Sequence, residues 1–560
     1  MFAKLLAPPR AMSLAGVLGV VGALGLCLTM AIGCSSKGGA KVETLPAKPT
    51  FTVFALAETR GQIGPCGCTT DPLGDLARTA AMVAQARRQG PVLVVDAGGL
   101  LYSQPQISAA FEAQEELKAD LLVSSYRDSL GVAAIGLGAS DLVRGAAKVR
   151  PARQAVNLAA GAGIPVEAPK VIELGGTKVG VLGVVAAGVL PGVTIGEPVA
   201  AGKAAVADLR GKGARFVIAL VAADSKAAAS MLAKSIGGID LVVAGLGQLA
   251  PEPDRIPGNR GQVVSRIEVT MRAGDGMTDA FGPAAAMARG EEIRRRIPAI
   301  EADLVRFAAD SSADPAFIAA KKRELTSLRE EGAQLDRSPL RAPTKGSYFT
   351  LAQVRISKKL ACDLPVQEAT AQYFRAAGAA NVQFARSQMP EPVAKGVATY
   401  VGTQACGTCH DTAVEFWKKT RHAGAWETLV KRGQEFDLEC IACHVTGWNK
   451  PGGASLAKNE GLRDVQCEVC HGPASIHVAK EGDEDPKTLV GGPDPEMCAK
   501  QCHTPEHSDT FSYDAYLRDI IGPGHGEERR KALGDGPTGR DLRSAGLARA
   551  GKELGAGCTK

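Results

Sequence analysis

From residue 50 the chain alternates short apolar runs with longer stretches in which apolar residues recur every three or four positions. "FTVFALAE", "VLVVDAG", "VAAIGLG", "KVGVLGVV", "FVIALVA" and "IDLVVAG" are runs of the first kind. They are too short for helices and rich in β-branched residues, so they read as strands buried on both faces. Between them, "LARTAAMVAQARR", "AQEELKADLLVSSYRDSL" and "GKAAVADLRGKG" carry the helical period. Strands alternating with helices predict an α/β layered domain with a largely internal sheet over residues 50–287. Two charged helical stretches, "EEIRRRIPAIEADLVRFAADS" and "PAFIAAKKRELTSLREEGAQL", then predict a helical hairpin spacer over 288–345, broken around "SSADP". Residues 346–398 read as a short connecting module, 399–526 as a mostly helical or irregular domain, and 527–560 as a basic, glycine-broken tail, either wrapped on that domain or free.

The N-terminus has its own pattern. Lys4 and Arg10 precede the apolar run "MSLAGVLGVVGALGLCLTMAIG", which ends at Cys34 and "SSKGGAK". Residues 1–34 are therefore an export segment, not part of the fold, and 35–49 a linker. The tetrapeptide "AIGC" resembles a bacterial lipobox, with Ala31 where Leu is usual, and implies that Cys34 is lipidated after cleavage. The alternative is an uncleaved transmembrane anchor. Both put the rest of the chain in the cell envelope, facing an oxidising periplasm. A net charge of +6 over 560 residues is too small to argue for nucleic acid. Aromatics make up only 4% and Ala and Gly are plentiful, which suits tightly packed α/β structure.

Cysteine and histidine positions add the chemistry. All eight histidines lie between 410 and 525, and eight of the fourteen cysteines between 406 and 502. Three clusters read "CGTCH" (Cys406, Cys409, His410), "CIACH" (Cys440, Cys443, His444) and "CEVCH" (Cys467, Cys470, His471). C-x-x-C-H is a haem c attachment pattern with a mechanical basis: two thiols one turn apart reach both vinyl groups of a porphyrin, and the adjacent imidazole falls under the iron. Zinc would also accept such ligands, but zinc sites do not require His directly after the second Cys. A fourth cluster, "CAKQCH", has one residue too many between Cys498 and Cys502 but keeps the Cys502–His503 adjacency. Four haems are expected, three from regular motifs and one from this variant. His422, His477, His507 and His525 complete eight imidazoles, two for each of four irons. His507, four residues after His503, shares its face if the stretch is helical, so it would serve a neighbouring iron or leave one iron five-coordinate.

The segment "TYVGTQACGTCHDTAVEFWKKTRHAGAWETL" through "CEVCHGPASIHVAK" resembles the tetrahaem cytochrome c554 family of nitrifying bacteria. The resemblance covers 399 to about 526. It implies closely stacked haems that pass electrons, irons mostly with two His ligands, and one haem open on one side. By that likeness His422, His477 and His525 stand at distal ligand positions.

The earlier strand and helix order resembles the metallophosphatase domain of the 5'-nucleotidase family, in which strand ends carry a two-metal site. The matching stretches are "LAETRG", "VDAGGLL", "GLGASDLVRG", "ALVAADS" and "VAGLGQ". Glu58 and Arg60 stand for Asp and His, Gly99 for Asp, Ala139 and Ser140 for Asn and His, and the late histidines have become Ala or Leu. A guanidinium cannot replace a metal-bound imidazole, so the resemblance implies a scaffold without its metals, used for docking or support. Cys66 and Cys68 in "GPCGC" either enter a disulfide, with Cys362 as one partner, or form a metal or redox pair; Cys558 has no assigned role. The reading that follows is a membrane-tethered electron carrier with periplasmic or membrane redox partners. The alternatives are a haem oxidoreductase acting on a small nitrogen or sulfur compound at an open haem, and a working nucleotidase.

Overall fold

The computed structural model describes residues 49–65, 69–159, 161–190, 192–246, 260–273, 277–279, 283–308, 315–337, 346–388, 393–483, 487–550 and 558. Cys34 with the export segment, and the Cys66/Cys68 pair, lie outside these residues. In chain order the first part comprises β1 (Phe51–Leu56), α1 (Leu76–Arg87), β2 (Val92–Asp96), α2 (Ala109–Ser125), β3 (Val132–Ile135), the short β4 (Arg153–Gln154) and β5 (Val166–Glu167), β6 (Lys170–Leu174), β7 (Thr177–Val185), α3 (Pro198–Gly211), β8 (Phe216–Ala223), α4 (Lys226–Ile236), β9 (Leu241–Leu246), β10 (Val263–Thr270) and β11 (Met277–Asp279). Every strand and helix read from the apolar pattern in this part is present.

Two larger sheets form. One runs β11-β12-β10-β1-β2-β3, with β12 spanning Ser347–Arg355, and the other β6-β7-β8-β9. Alternate side chains explain the layers. Phe51, Val53 and Ala55 of β1 point towards Val179, Val181, Phe216 and Ile218 of the second sheet. Phe54 and Leu56 point the other way, into a core with α1 and α2. The outer face of the second sheet is covered by α3 and α4 through Val206, Leu209, Ala229 and Ile236. The result is four layers, helix, sheet, sheet, helix, and explains why the strands read as continuous apolar runs.

The stretch 346–388 is more than a connector. β12 pairs antiparallel with β10 along its whole length, from Val263 opposite Arg355 to Thr270 opposite Tyr348. α7 (Leu364–Ser387) then packs Val366, Tyr373 and Ala377 into the core shared with α1 and α2. The hairpin of α5 (Pro283–Ala308) and α6 (Pro315–Arg337) is thus inserted between two strands of one sheet. It buries Ile293, Ile300, Leu325 and Leu328 between its own helices.

Beyond 393 the elements are short: α8 (Thr403–Cys406), α9 (Asp411–Trp417), α10 (Ala425–Val430), α11 (Cys467–His471), α12 (Ser475–Ala479), α13 (Pro495–Met497), α14 (Tyr513–Ile520), α15 (Glu527–Ala532) and α16 (Gly539–Arg549). The tail is folded back rather than free: Arg540 N–H donates to Asp519, and Arg518 donates to the carbonyls of Leu533 and Pro537. At its end Cys558 forms a disulfide with Cys362, Cα atoms 5.4 Å apart. This corrects the expectation that Cys362 pairs with Cys66 or Cys68. Both partners lie against the α1, α2 and α7 core. Among the described residues, no helix is long and apolar enough to cross a membrane.

Candidate haem-binding site

Three of the four motifs close over a helical turn despite their different spacing, whereas the second is a 3-10 turn in which the His444 amide donates to the Ile441 carbonyl. In the first, the amide of His410 donates to the carbonyl of Cys406 at 2.9 Å, one helical turn back. In the third, the whole of "CEVCH" is the helix α11. In the fourth, Cys498–Cys502 forms a single π turn, and the His503 amide donates to the Cys498 carbonyl at 2.8 Å. The first and fourth motifs thus share the same closure, from the His amide to the first Cys carbonyl. The added residue is absorbed by a wider turn, the usual way a helix accommodates an insertion.

None of the eight motif cysteines is in a disulfide. They meet across motifs. Cys406 lies beside Cys467, and Cys443 beside Cys502. Cys470, its thiol pushed up to about 12 by burial first, also feels Cys498. In space the motifs therefore follow the order first, third, fourth, second.

Two of the motif imidazoles have the tautomer an iron ligand requires. The Nδ1 of His471 faces the Val490 carbonyl at 2.9 Å and that of His444 faces the Ala425 carbonyl at 2.5 Å. A carbonyl can only accept, so each Nδ1 carries the proton and each Nε2 keeps its lone pair for a metal. Burial lowers His422, His444 and His525 below the ordinary imidazole value. It drives His503 down to about 4, with His422 adding to the effect. His503 also stacks on Phe511 at 4.7 Å.

Two ring pairs have a telling separation. His410 and His477 lie nearly parallel with centroids 6.4 Å apart, and His422 and His503 are 6.3 Å apart. Two imidazoles on opposite sides of one metal, with metal–nitrogen bonds of about 2 Å and the ring radius added, have centres roughly 6 Å apart. His525 is influenced by His471, and His444 by His507. His507 itself bonds Thr504 through Nδ1 at 2.8 Å. Two motif histidines therefore face another histidine at close range, the other two interact electrostatically with one, and the donor set fits haem.

Sequence reasoning missed the residues that hold the motifs together. Glu468, inside "CEVCH" and 2% exposed, accepts from the amides of Val401, Gly402 and Ala474. Gln466 accepts from the Thr403 amide at 2.6 Å, and Trp417 donates to the Val465 carbonyl. These bonds join the first motif to the third. Nothing in the spacing marks Glu468, because the two positions between the cysteines accept any residue.

The second motif is mounted on the α/β domain. Phe436 and the fully buried Ile441 pack in a cluster with Phe111 of α2 and Ala385 of α7. Around this contact runs a polar set: Gln114 donates to Asp437 and accepts from the Leu438 amide and Asn381. Asn381 also donates to the Phe436 carbonyl. Ser103 donates its amide to Glu115 and its hydroxyl to Glu439, and Lys118 is paired with Glu115 at 2.7 Å and Glu439 at 2.9 Å. Burial opposes the Lys118 charge, but Glu439, Tyr373, Glu115 and Asp437 together raise it well above the ordinary lysine value, so it is an ammonium.

At the strand ends, the loops after β1 and β2 close on each other through bonds from the Glu58 and Arg60 amides to the Gly98 and Gly99 carbonyls. The Glu58 carboxylate lies where a side chain on Gly99 would begin, 2.8 Å from that Cβ position, and is paired with Arg60 at 2.7 Å. Asp96, fully buried, accepts from the Tyr126 hydroxyl and the Gly98 amide. Ala139 and Ser140 are buried beside Asp141, whose carboxylate accepts from four backbone amides and Arg153. Part of "VAGLGQ" lies outside the described residues.

Comparison with known proteins matches the C-terminal segment to a family. Residues 405–472 match the family described as "Cytochrome c554 and c-prime". Cytochrome c-554 of Nitrosomonas europaea is 34% identical over 92 residues, which is 14% of this chain and 39% of that protein. Among solved structures, a 5'-nucleotidase precursor from Thermus thermophilus aligns over 61% of each chain at 16% identity and a TM-score of 0.37. A calcineurin-like phosphoesterase from Bacillus subtilis aligns over 40% of this chain and 86% of its own at 17% identity and a TM-score of 0.31. At those scores the architecture rests on the sheet order and layers described above. The chain joins a four-layered α/β domain to a C-terminal segment similar to cytochrome c554.

Proposed function

We propose that this chain is a tetrahaem c-type electron carrier of the cell envelope, tethered by a lipid on Cys34, whose α/β domain serves as a mount and docking body without phosphoesterase activity. The observation that carries the reading is the set of histidine pairs, two of them at 6.4 and 6.3 Å. Cys406/Cys409, Cys440/Cys443, Cys467/Cys470 and Cys498/Cys502 hold the four groups. The histidines that would hold the irons are His410 with His477, His444 with His507, His471 with His525, and His503 with His422. Haem, when bound, supplies reversible one-electron chemistry. The chain orients the imidazoles and sets the order of the groups. Loss of phosphoesterase function is supported by the Glu58–Arg60 pair, which puts a guanidinium and a carboxylate where a two-metal site needs room and imidazoles.

Intact mass of the mature protein counts covalent haems and detects acylation in one measurement. The expected result is four haems and a diacylated Cys34; three haems would refute the assignment of Cys498/Cys502. Electron paramagnetic resonance of the oxidised protein is expected to show only low-spin iron, and a high-spin signal would refute the His507 pairing and favour an open haem.

A further inference from the structure

We propose that α2 is the seat of the second haem, and that Lys118 is a positioning residue that sets this haem's potential; the proposal rests on the haem reading above. The segment entering the second motif, Phe436 to Glu439, is held at each of its four residues by side chains of the α/β domain. Gln114 takes the Asp437 side chain and the Leu438 amide, Asn381 takes the Phe436 carbonyl, and Ser103 and Lys118 take Glu439. Gln114 and Lys118 stand one turn apart on α2, with Glu115 between them, and the three are at most 2% exposed. Three adjacent polar side chains so deeply buried on a helix need a reason. Each has its partner in, or one step from, the four residues that lead into Cys440.

The electrostatics give the arrangement a function. Glu439 adjoins Cys440 in sequence, and Lys118 is the cation paired to it and to Glu115. A buried charge in a medium of low dielectric acts strongly on a neighbouring redox group. With Lys118 neutralised, two carboxylates next to the second haem lose their counter-charge. Negative charge favours the ferric form, so that haem's potential falls. With Glu439 neutralised instead, Lys118 has less to balance and the same haem's potential rises. Among the described residues, the ion pairs of Lys118 are with Glu115 and Glu439, and neither belongs to the other three motifs.

The test is spectroelectrochemical titration of the full-length, haem-loaded protein and of Lys118→Met, Glu439→Gln and the double variant, with haems counted by intact mass. The expected result is four haems in every variant and one potential that moves: down in Lys118→Met, up in Glu439→Gln, and back towards the parent in the double variant. Four haems with four unmoved potentials, or a uniform shift of all four, would overturn the proposal while leaving the haem reading intact. A missing haem on Cys440 and Cys443 in the parent protein, found by peptide mass, would overturn the haem reading itself. Should Lys118→Met fail to fold, Glu439→Gln decides alone, because Glu439 lies at the rim with 37% of its side chain exposed.

Discussion

Asp96 ends β2 with no exposed surface, and burial, opposed by bonds from Gly98 and Tyr126, pushes its carboxyl up from 3.8 to about 6. Between those values the folded chain keeps a proton that the unfolded chain has released. Stability therefore falls as pH rises through that window, by about 3 kcal/mol from this group. Asp96→Asn keeps an acceptor for the Gly98 amide, offers an amide to Tyr126, and cannot titrate. We expect denaturant unfolding of the variant to show a flatter dependence on pH between about 4 and 6; an unchanged slope would mean that the proton resides elsewhere. The same residue shows what a sequence conceals. Asp96 ends the run "VLVVDAG", but its burial against Tyr126 depends on α2 continuing one turn further as a π turn over Tyr126–Leu130.

Among the elements, the π turn at Cys498–Cys502 makes the sharpest prediction. If the turn merely absorbs one residue, then removing Ala499 should let it close as an α-helical turn with Cys498, Cys502 and His503 in the same relation. Intact mass of this deletion variant should show the same haem count as the parent, and loss of one haem would show that the wider turn is required. Much of the molecule at this scale was legible. Strands of the α/β domain announce themselves because they are covered on both faces, and the motifs because attachment chemistry dictates local spacing. β12 was not legible as a sheet strand: its partner β10 lies on the other side of the α5–α6 insertion, and register between distant strands leaves no local trace. The polar side chains of α2 were equally silent, since Gln, Glu and Lys on a helix ordinarily mark a solvated face. The partners of His422, His477, His507 and His525 likewise depend on long-range packing.

For the whole molecule, the Cys362–Cys558 bridge spans 196 residues and ties the C-terminal tail to the start of α7. α7 and every haem motif lie within that loop. Cys558→Ser should lower the stability of the folded chain by about 2–4 kcal/mol, read by chemical unfolding, with haem content unchanged because thioethers form independently. Unaltered unfolding would show that the tail's packing on α14 suffices without the bridge. The Glu58–Arg60 pair has a consequence at this scale too. A positive charge that belongs to the chain cannot be stripped by a chelator, exchanged for another ion or left behind in a metal-poor medium. Arg260, whose amide bonds the Glu58 carbonyl, also reaches Glu506 beside His507. The surface that the α/β domain turns towards the last motif thus carries, in Arg260, a cation supplied by the chain itself.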